Sequence, residues 1–182
     1  MLSDEDDHRL MERVAVGDGT AFRALVERHT ASLKAHATRM LRNPSEAEEV
    51  VQETYIRLWK QAPSYRPEAK LRTFLHGIAH NLSIDRIRAR KKHDPDAVEG
   101  LTSNDRPSGG MRERELSERV QREVALLPER QRAALSLVHF EELTNIEAAA
   151  LLEVSVEALE SLLSRARRTL RERLANVMEQ GG

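Results

Sequence analysis

An acidic segment in the middle of the chain limits how the rest of it can fold. Residues 93–110, HDPDAVEGLTSNDRPSGG, carry four acidic residues against one arginine, are rich in proline, glycine and serine, and show no apolar periodicity. A segment of this composition buries too little apolar surface to join a packed core. We therefore predict a flexible acidic linker over residues 94–111 between two domains, residues 1–93 and residues 112–182.

The composition favours small helical domains. Of the 182 residues, 32% are charged and 3% are aromatic, which is typical of helix-rich proteins with thin cores. Because the chain has no cysteine, disulfides, thiolate metal sites and cysteine nucleophiles are excluded. No apolar run is long enough to span a bilayer, and the N-terminal MLSDEDDHRL is acidic where a secretory signal is basic and then apolar. We expect an all-α protein of the cytoplasm.

The first domain carries the pattern of a three- or four-helix bundle. Over residues 22–41, apolar side chains recur at three- and four-residue steps, which indicates one long amphipathic helix. Ser45 and Glu48 have capping-box spacing, which predicts that the next helix begins there. The stretch APSYRPE (62–68) interrupts the helices, and a further helix is expected from about residue 70 to residue 92.

The second domain carries a helix-turn-helix pattern. Pro128 stops one helix, and a second helix follows it. Thr144 and Glu147 have capping-box spacing and open a short helix, in which Ile146 and the alanines after it are expected to pack closely. Ser155 stands at the N-cap of a last, longer helix. This arrangement is typical of the motif whose second helix lies in the DNA major groove.

Positive charge is concentrated in two stripes, although the net charge is −1. Clustered cations of this kind are the electrostatic signature of a surface that binds nucleic acid. The first stripe consists of Arg86, Arg88, Arg90, Lys91 and Lys92, and the second consists of Arg165, Arg167, Arg168, Arg171 and Arg173.

Three stretches, in this order, resemble the extracytoplasmic-function (ECF) family of bacterial RNA polymerase sigma factors. They are SEAEEVVQETYIRLWKQ (45–61), YRPEAKLRTFLHGIAHNLSIDRIRARKK (65–92) and LPERQRAALSLVHFEELTNIEAAALLEVSVEALESLLSRARRTLRERL (127–174). The resemblance implies a subunit that binds core RNA polymerase and directs it to promoters. The first domain resembles region two, which docks on the clamp helices and captures the melted minus-ten element. The second resembles region four, which binds the polymerase flap and reads the minus-thirty-five element as duplex.

For polymerase binding, the resemblance points to one face of the helix over residues 45–61. On spacing alone, a solvated helix face is the favoured interpretation of the same residues, and the resemblance reverses that preference. The expected polymerase-binding residues are Glu49, Gln52, Glu53 and Arg57.

For melted DNA, the loop before the last helix of the first domain supplies an aromatic ring among cations, as in single-strand binders. Tyr65 offers base stacking, although it could equally fill the core. The resemblance adds positions on the following helix, where His80 stands in place of an arginine found in many relatives. Asp85 could instead pair with Arg86 or Arg88. The expected minus-ten residues are Tyr65, Arg66, Lys70, Arg72, His80, Asn81, Asp85 and Arg88.

For duplex DNA, a groove-binding helix needs small or polar side chains near its start and cations where it leaves the groove. Glutamate fits such a helix because it can accept a hydrogen bond from cytosine. The family commonly has lysine or arginine at the positions of Glu160 and Leu162, so we expect phosphate binding to depend on Arg165, Arg167 and Arg168. The expected minus-thirty-five residues are Ser155, Val156, Glu157, Glu160, Ser161, Ser164, Arg165 and Arg168.

Some residues have structural interpretations as well. Glu153 stands in the turn where the family usually has glycine, and a positive φ there would cost on the order of 1 kcal/mol. His76 and His80 have chelating spacing but lack a third ligand nearby in sequence, so no metal is expected. Tyr55 and Trp59 are expected in the core.

Two other classes of protein fit parts of the sequence. A stand-alone helix-turn-helix regulator explains residues 128–174 but not the basic helix and loop of the first domain. A protein-binding helical adaptor leaves both arginine-rich stripes without a role. No catalytic motif or phosphate-binding loop is present, so we expect no enzyme activity and no cofactor. The expected partners are core RNA polymerase, promoter DNA and an anti-sigma factor.

Overall fold

The computed structural model describes residues 4–93 and 111–179, with side chains over residues 6–93 and 117–175. The chain folds as two compact units, Met1–Ala97 and Val98–Gly182. The predicted linker lies outside the described residues, except for its last residue, Met111. The predicted domain boundaries at residues 93 and 112 stay a prediction. All regular structure in the described ranges is helical, which confirms the all-α fold.

Unit 1 contains four α-helices in its described part. They are α1 (Asp4–Ala15), α2 (Gly19–Leu41), α3 (Pro44–Gln61) and α4 (Leu71–His93), and a short 3-10 turn follows α3 at Ala62–Ser64. Helix α1 escaped the sequence analysis, although the i, i+3 pair Met11 and Val14 on it is buried. Leu25, Leu33 and Met40 of the predicted apolar stripe are fully buried, because residues three, four and seven positions apart share one face of α2.

A buried polar contact joins α1 to α2. Asp7 accepts hydrogen bonds from His29 Nε2, at 2.8 Å, and from the Arg28 guanidinium. Burial alone would raise the pKa of Asp7, but the hydrogen bonds and charges of His29 and Arg28 outweigh it and lower that pKa. The carboxylate is therefore ionised and fixes α1 against the bundle.

The boundary between α2 and α3 differs from the prediction. Asn43, and not Ser45, is the N-cap of α3: its side chain accepts from the N–H groups of Ser45 and Glu46 at 3.0 and 3.3 Å. Pro44 occupies the first helical position, where a missing N–H costs nothing. The capping box predicted from Ser45 and Glu48 is therefore wrong, and Glu48 instead pairs with Lys34.

Unit 2 contains α5 (Met111–Ala125), α6 (Glu129–Leu135), α7 (Asn145–Leu151) and α8 (Val156–Glu179), with a π-helical turn at Ser136–Phe140 after α6. Its core includes Leu137, Leu159 and Leu163, contributed by the π turn and α8. Arg132 is also buried, and its Nη1 donates to the Ala125 carbonyl at the end of α5, at 2.8 Å. This buried cation escaped the sequence analysis, because an arginine shortly after Glu129 and Arg130 resembles a surface residue.

The helix-turn-helix of unit 2 forms as predicted. Thr144 accepts from the Glu147 N–H, and the Glu147 carboxylate accepts from the Thr144 N–H, so the capping box is confirmed. Ser155 Oγ accepts from the Ala158 N–H at 3.1 Å and caps α8 as expected. The predicted close packing of α7 is confirmed for Ala149, which is buried, but it is wrong for Ile146, which is 74% exposed, and for Ala150, which is also exposed.

Candidate polymerase and promoter interfaces

The face of α3 predicted to bind polymerase is exposed and carries two ion pairs. Arg86 of α4 donates to Glu49 at 2.7 Å, and Arg57 donates to Glu53 at 2.9 Å along the helix. Gln52 lies between them and is exposed. The four predicted residues are thus accessible, and Glu49 also joins α3 to α4.

Two large apolar side chains extend this surface. Ile56 and Trp59 are 47% and 42% exposed. The prediction that Trp59 is a core residue is wrong, since 42% of it is exposed, although its ring packs against that of Phe22 in a T-shaped arrangement with centroids 5.0 Å apart. Tyr55, by contrast, is buried, and its hydroxyl donates to the Val26 carbonyl. Half-exposed aromatic and aliphatic side chains beside charged residues are typical of protein interfaces.

The loop between α3 and α4 forms a cavity of about 380 Å³. Tyr65 lies in its wall with its ring against Phe74, the centroids 5.3 Å apart, and its hydroxyl is 3.4 Å from the Ala69 carbonyl. Burial and the charge of Asp7 raise the pKa of Tyr65, so its hydroxyl stays protonated. The cavity is lined by Gln61, Ser64, Tyr65, Arg66, Glu68, Ala69 and Phe74.

Helix α4 divides its predicted DNA residues between two sides. Asn81, Asp85 and Arg88 follow one another at four- and three-residue steps and are all exposed, so they form one accessible strip. His80 is only 5% exposed and packs against His36, with ring centroids 5.7 Å apart. The prediction that His80 contacts DNA is therefore not supported, because its ring faces the bundle interior.

Part of the first basic stripe is used inside unit 1. Arg90 donates to the Leu41 carbonyl at 3.0 Å, which caps the end of α2, and also pairs with Glu46. Arg86 pairs with Glu49, so it is not the partner that was considered for Asp85. Arg66 and Lys70, in the loop, are exposed, and Arg72 is half-buried. The exposed cations near the loop, together with Arg88, Lys91 and Lys92 of the stripe, carry the remaining positive surface.

Two glutamates next to α7 have a strained backbone, Glu153 in the turn of the helix-turn-helix and Glu142 in the segment before α7. Glu153 has φ 54° and Glu142 has φ 55°, in the left-handed region where a side chain is disfavoured. The suspected cost at Glu153 thus has a structural basis, and Glu142 adds a second site that the sequence analysis did not identify. The two residues flank α7 on either side.

The outward face of α8 holds the predicted duplex-binding residues. Glu157, Ser161, Ser164 and Arg168 fall at three- and four-residue steps on the side opposite Leu163 and are exposed, with Arg165 beside them. Glu160 is exposed on the flank, and Val156 is half-buried. The sequence pattern therefore identified an accessible face correctly, while Val156 is largely turned away from it.

Glu157 also has a structural role at the start of α8. Its carboxylate accepts hydrogen bonds from its own N–H and from the Ser155 hydroxyl, which lower the pKa of Glu157. A negative charge in this first turn complements the helix dipole. The presence of an acidic residue at this position is therefore explained in part by the helix itself, independently of any DNA base.

In the described part of the chain, no group of three or more histidine, cysteine or acidic residues could hold a metal ion. No described helix has the length and apolar character needed to cross a membrane.

Comparison with known proteins agrees with this architecture. The family Sigma-70 region 2 matches residues 25–93, and the family Sigma-70, region 4 matches residues 117–170. Two helical units with these matches, the second containing a helix-turn-helix, define a sigma-70-type transcription initiation factor.

Relatives narrow the class further. The ECF RNA polymerase sigma factor SigW of Bacillus subtilis is 31% identical over 182 aligned residues, with 92% of this chain and 96% of SigW covered. The structure of CnrH in complex with the cytosolic domain of CnrY is similar, with a TM-score of 0.71, 26% identity and coverage of 94% and 98%. The sigma factor RpoE of Bartonella quintana, solved with the anti-sigma factor NepR, shares the fold, with a TM-score of 0.74, 23% identity and coverage of 85% and 96%.

The chain belongs to the extracytoplasmic-function family of RNA polymerase sigma factors. It is an alternative sigma factor that binds core RNA polymerase and directs promoter-specific initiation of transcription. The resemblance inferred from the three quoted stretches is confirmed.

Proposed function

We propose that unit 1 binds core polymerase through the exposed face of α3. The observation that supports this assignment most strongly is the combination of Ile56 and Trp59, half exposed, with the charged pair Glu53 and Arg57 beside them. A central apolar anchor with a charged rim is the arrangement that gives interfaces most of their binding energy. The proposed polymerase-binding residues are Glu49, Gln52, Glu53, Ile56, Arg57 and Trp59.

We propose that the loop after α3 and the exposed strip of α4 bind the melted minus-ten strand. The cavity beside Tyr65 has room for an unstacked base, and Tyr65 and Phe74 offer aromatic surface for stacking. Exposed Arg66 and Lys70 supply charge for phosphates. The proposed strand-binding residues are Tyr65, Arg66, Lys70, Arg72, Asn81, Asp85 and Arg88.

We propose that α8 reads the minus-thirty-five element as duplex. Its outward face begins with small and acidic side chains and ends with arginines, which suits a helix that enters the major groove at its N-terminus. The proposed duplex-binding residues are Ser155, Glu157, Glu160, Ser161, Ser164, Arg165 and Arg168, with Arg167 as a further phosphate contact.

We also propose regulation by an anti-sigma factor. The similar CnrH was solved with the cytosolic domain of CnrY, and RpoE, of the same fold, with the anti-sigma factor NepR. A partner of this kind would keep the chain inactive in the cytoplasm by covering surfaces that polymerase needs. Because the chain has no cysteine, thiol-based redox sensing would have to lie on that partner. We assign no catalytic role to the chain.

One experiment tests the core of the proposal. The purified chain is added to core polymerase, and both co-elution and promoter-dependent transcription are measured. We expect a complex that initiates only at selected promoters. A gel shift of duplex DNA by the chain alone, with no association with core polymerase, would instead identify a stand-alone helix-turn-helix regulator.

A further inference from the structure

His139 and Arg167 form a hydrogen bond on the exposed side of unit 2. Arg167 Nη2 lies 3.0 Å from His139 Nε2, and 28 positions separate the two residues in the sequence. A guanidinium group has donors only, so the histidine nitrogen must accept. The imidazole is therefore neutral in this arrangement and carries its proton on Nδ1.

A widened helical turn brings His139 to α8. Residues Ser136–Phe140 form a π-helical turn, closed by a hydrogen bond of 3.0 Å from the Glu141 N–H to the Ser136 carbonyl. Such turns insert one residue relative to an α-helix and are frequent at functional sites. Leu137 anchors this turn in the core, while His139 stays exposed beside α8.

The surroundings of His139 favour its neutral form. Partial burial and the positive charge of Arg167 lower the pKa of His139. Arg171, one turn further along α8, donates to the Arg167 carbonyl at 3.4 Å. The other charged residues near the turn are Glu160 on the same flank of α8, Glu129, Arg130 and Arg132 of α6, Glu147 of α7, and Glu141 and Glu142, which follow the turn.

Arg167 borders the face of α8 to which we assign duplex binding. It lies next to Arg168 in sequence and two turns after Glu160 on the same flank of the helix. Its bond to His139 occupies part of its donor capacity. A change in the charge of His139 therefore alters both the freedom of Arg167 and the positive charge of this flank.

We propose that His139 is a pH-sensitive positioning residue for duplex binding by α8. While neutral, its Nε2 lone pair holds the Arg167 guanidinium against the π turn. A proton taken from solvent onto Nε2 removes the acceptor, releases Arg167 to phosphate and places a second cation beside it. Mild acid then strengthens binding to the minus-thirty-five duplex. This inference rests on the proposed role of α8.

The test compares holoenzyme with wild-type chain and holoenzyme with His139→Gln, on a duplex that carries the minus-thirty-five element. Glutamine keeps an oxygen that can accept from Arg167 but cannot take up the proton. Histidine changes its charge between about pH 8 and about pH 5, and the lowered pKa of His139 places its protonation toward the acidic end of that range. Between those pH values we expect wild-type affinity to rise about threefold relative to His139→Gln, which is the contribution of a single phosphate contact. His8→Gln, which alters a histidine of α1, is expected to keep the wild-type pH response.

Two arginine variants separate failure of this inference from failure of the proposed function. If Arg168→Ala weakens binding at every pH while His139→Gln and wild type show the same pH profile, the role of His139 is wrong and duplex binding by α8 stands. If neither Arg167→Ala nor Arg168→Ala weakens binding, the proposed duplex surface is itself wrong. Arg167→Ala is expected to abolish the pH difference between histidine and glutamine at position 139.

A spectroscopic measurement on the full chain checks the geometry directly. Nitrogen-15 spectra of the histidine rings should show His139 with its proton on Nδ1 above its pKa, and Arg167→Ala should raise that pKa. A ring protonated on Nε2, or a pKa that Arg167→Ala leaves unchanged, would overturn the proposed contact.

Discussion

Arg86 of α4 donates a hydrogen bond to Glu49 of α3 at 2.7 Å and thereby joins two surfaces to which we assign different partners. Glu49 belongs to the proposed polymerase-binding face, whereas Arg86 directly follows Asp85, a residue of the exposed strip of α4. Both side chains are partly exposed, so the pair contributes little to stability, on the order of 0 to 1 kcal/mol. Replacing Glu49 is therefore expected to alter binding more than folding.

Charge reversal on α3 tests the polymerase surface. The double variant Glu49→Lys and Glu53→Lys should weaken association with core polymerase by about tenfold, because it removes two negative charges from the interface rim. Circular dichroism should show unchanged helicity. Glu48→Lys is the matched control. Glu48 also lies on α3 but outside the proposed face, and its replacement breaks the ion pair with Lys34 of α2, at 2.9 Å. Full association of the double variant in a pull-down would remove this surface from the proposal.

Removal of the Tyr65 ring should impair promoter melting. Tyr65→Ala is expected to lose about 1 to 3 kcal/mol of single-strand binding, the range for one stacked base. Tyr65→Phe should retain it, because the hydroxyl makes only a long contact of 3.4 Å with the Ala69 carbonyl. Fluorescence of a base analogue in the minus-ten element reports opening by holoenzyme. Normal opening with Tyr65→Ala would show that the ring serves only to fill the loop.

The glutamates of α8 should determine which duplex is preferred. If Glu157 and Glu160 accept hydrogen bonds from bases, alanine at either position should change the preferred minus-thirty-five sequence, with roughly tenfold discrimination at the affected position. Arg165→Ala and Arg168→Ala should instead weaken all promoters alike and reduce the salt dependence by about one charge each. Selection from a randomised minus-thirty-five library with each holoenzyme makes the distinction. An unchanged preference in both glutamate variants would leave Glu157 with its helix-stabilising role alone.

Acid should destabilise unit 1 through its buried histidines. Burial, with the charges of His76, His80 and Arg39, sets the pKa of His36 well below its ordinary value, and burial, with Arg72 foremost among the nearby charges, lowers that of His76 to about 3. The unfolded chain binds protons at these positions below about pH 6.5 and the folded chain does not. The free energy of unfolding should therefore fall as the pH drops below that value, by at most roughly 1.4 kcal/mol per pH unit for each histidine.

Urea unfolding followed by the fluorescence of Trp59, the one tryptophan in the chain, measures this effect in unit 1. His36→Leu should reduce the pH slope by the share of one histidine. His93→Gln, at the exposed end of α4, should leave the slope as it is. A wild-type free energy of unfolding that stays constant between about pH 7 and about pH 5 would contradict burial of neutral imidazoles.

Glycine at the turn of the helix-turn-helix should stabilise unit 2. Glu153→Gly removes the backbone strain of a side chain at φ 54°, which is expected to raise the free energy of unfolding by up to about 1 kcal/mol. The entropy that glycine adds to the unfolded chain reduces this gain. Glu172→Gly, an exposed position within α8, should lower it by about 1 kcal/mol. Thermal unfolding followed by circular dichroism compares the two. A lower stability of Glu153→Gly would show that the carboxylate makes contacts worth more than the strain.

The sequence by itself determined the features that depend on near neighbours in the chain. The capping box of Thr144 and Glu147, the cap at Ser155 and the apolar stripe of α2 all involve residues within a few helical turns, where the spacing along the chain fixes the geometry. The order of the motifs was sufficient to indicate the family. The boundary at Asn43 was missed because two capping residues, Asn43 and Ser45, stand close together.

Only the tertiary structure decided which side of each helix is covered. Arg86 and Arg90 belong to one basic run in the sequence, but acceptors 37 and 49 positions away turn both of them toward other helices. His80 is buried because α4 packs its face against His36, whereas Trp59 stays 42% exposed although its ring also packs against a ring of α2, that of Phe22. A helical period specifies which residues share a face, whereas the helix that covers that face comes from a distant part of the chain. For that reason, burial and ion pairing could not be obtained from spacing alone.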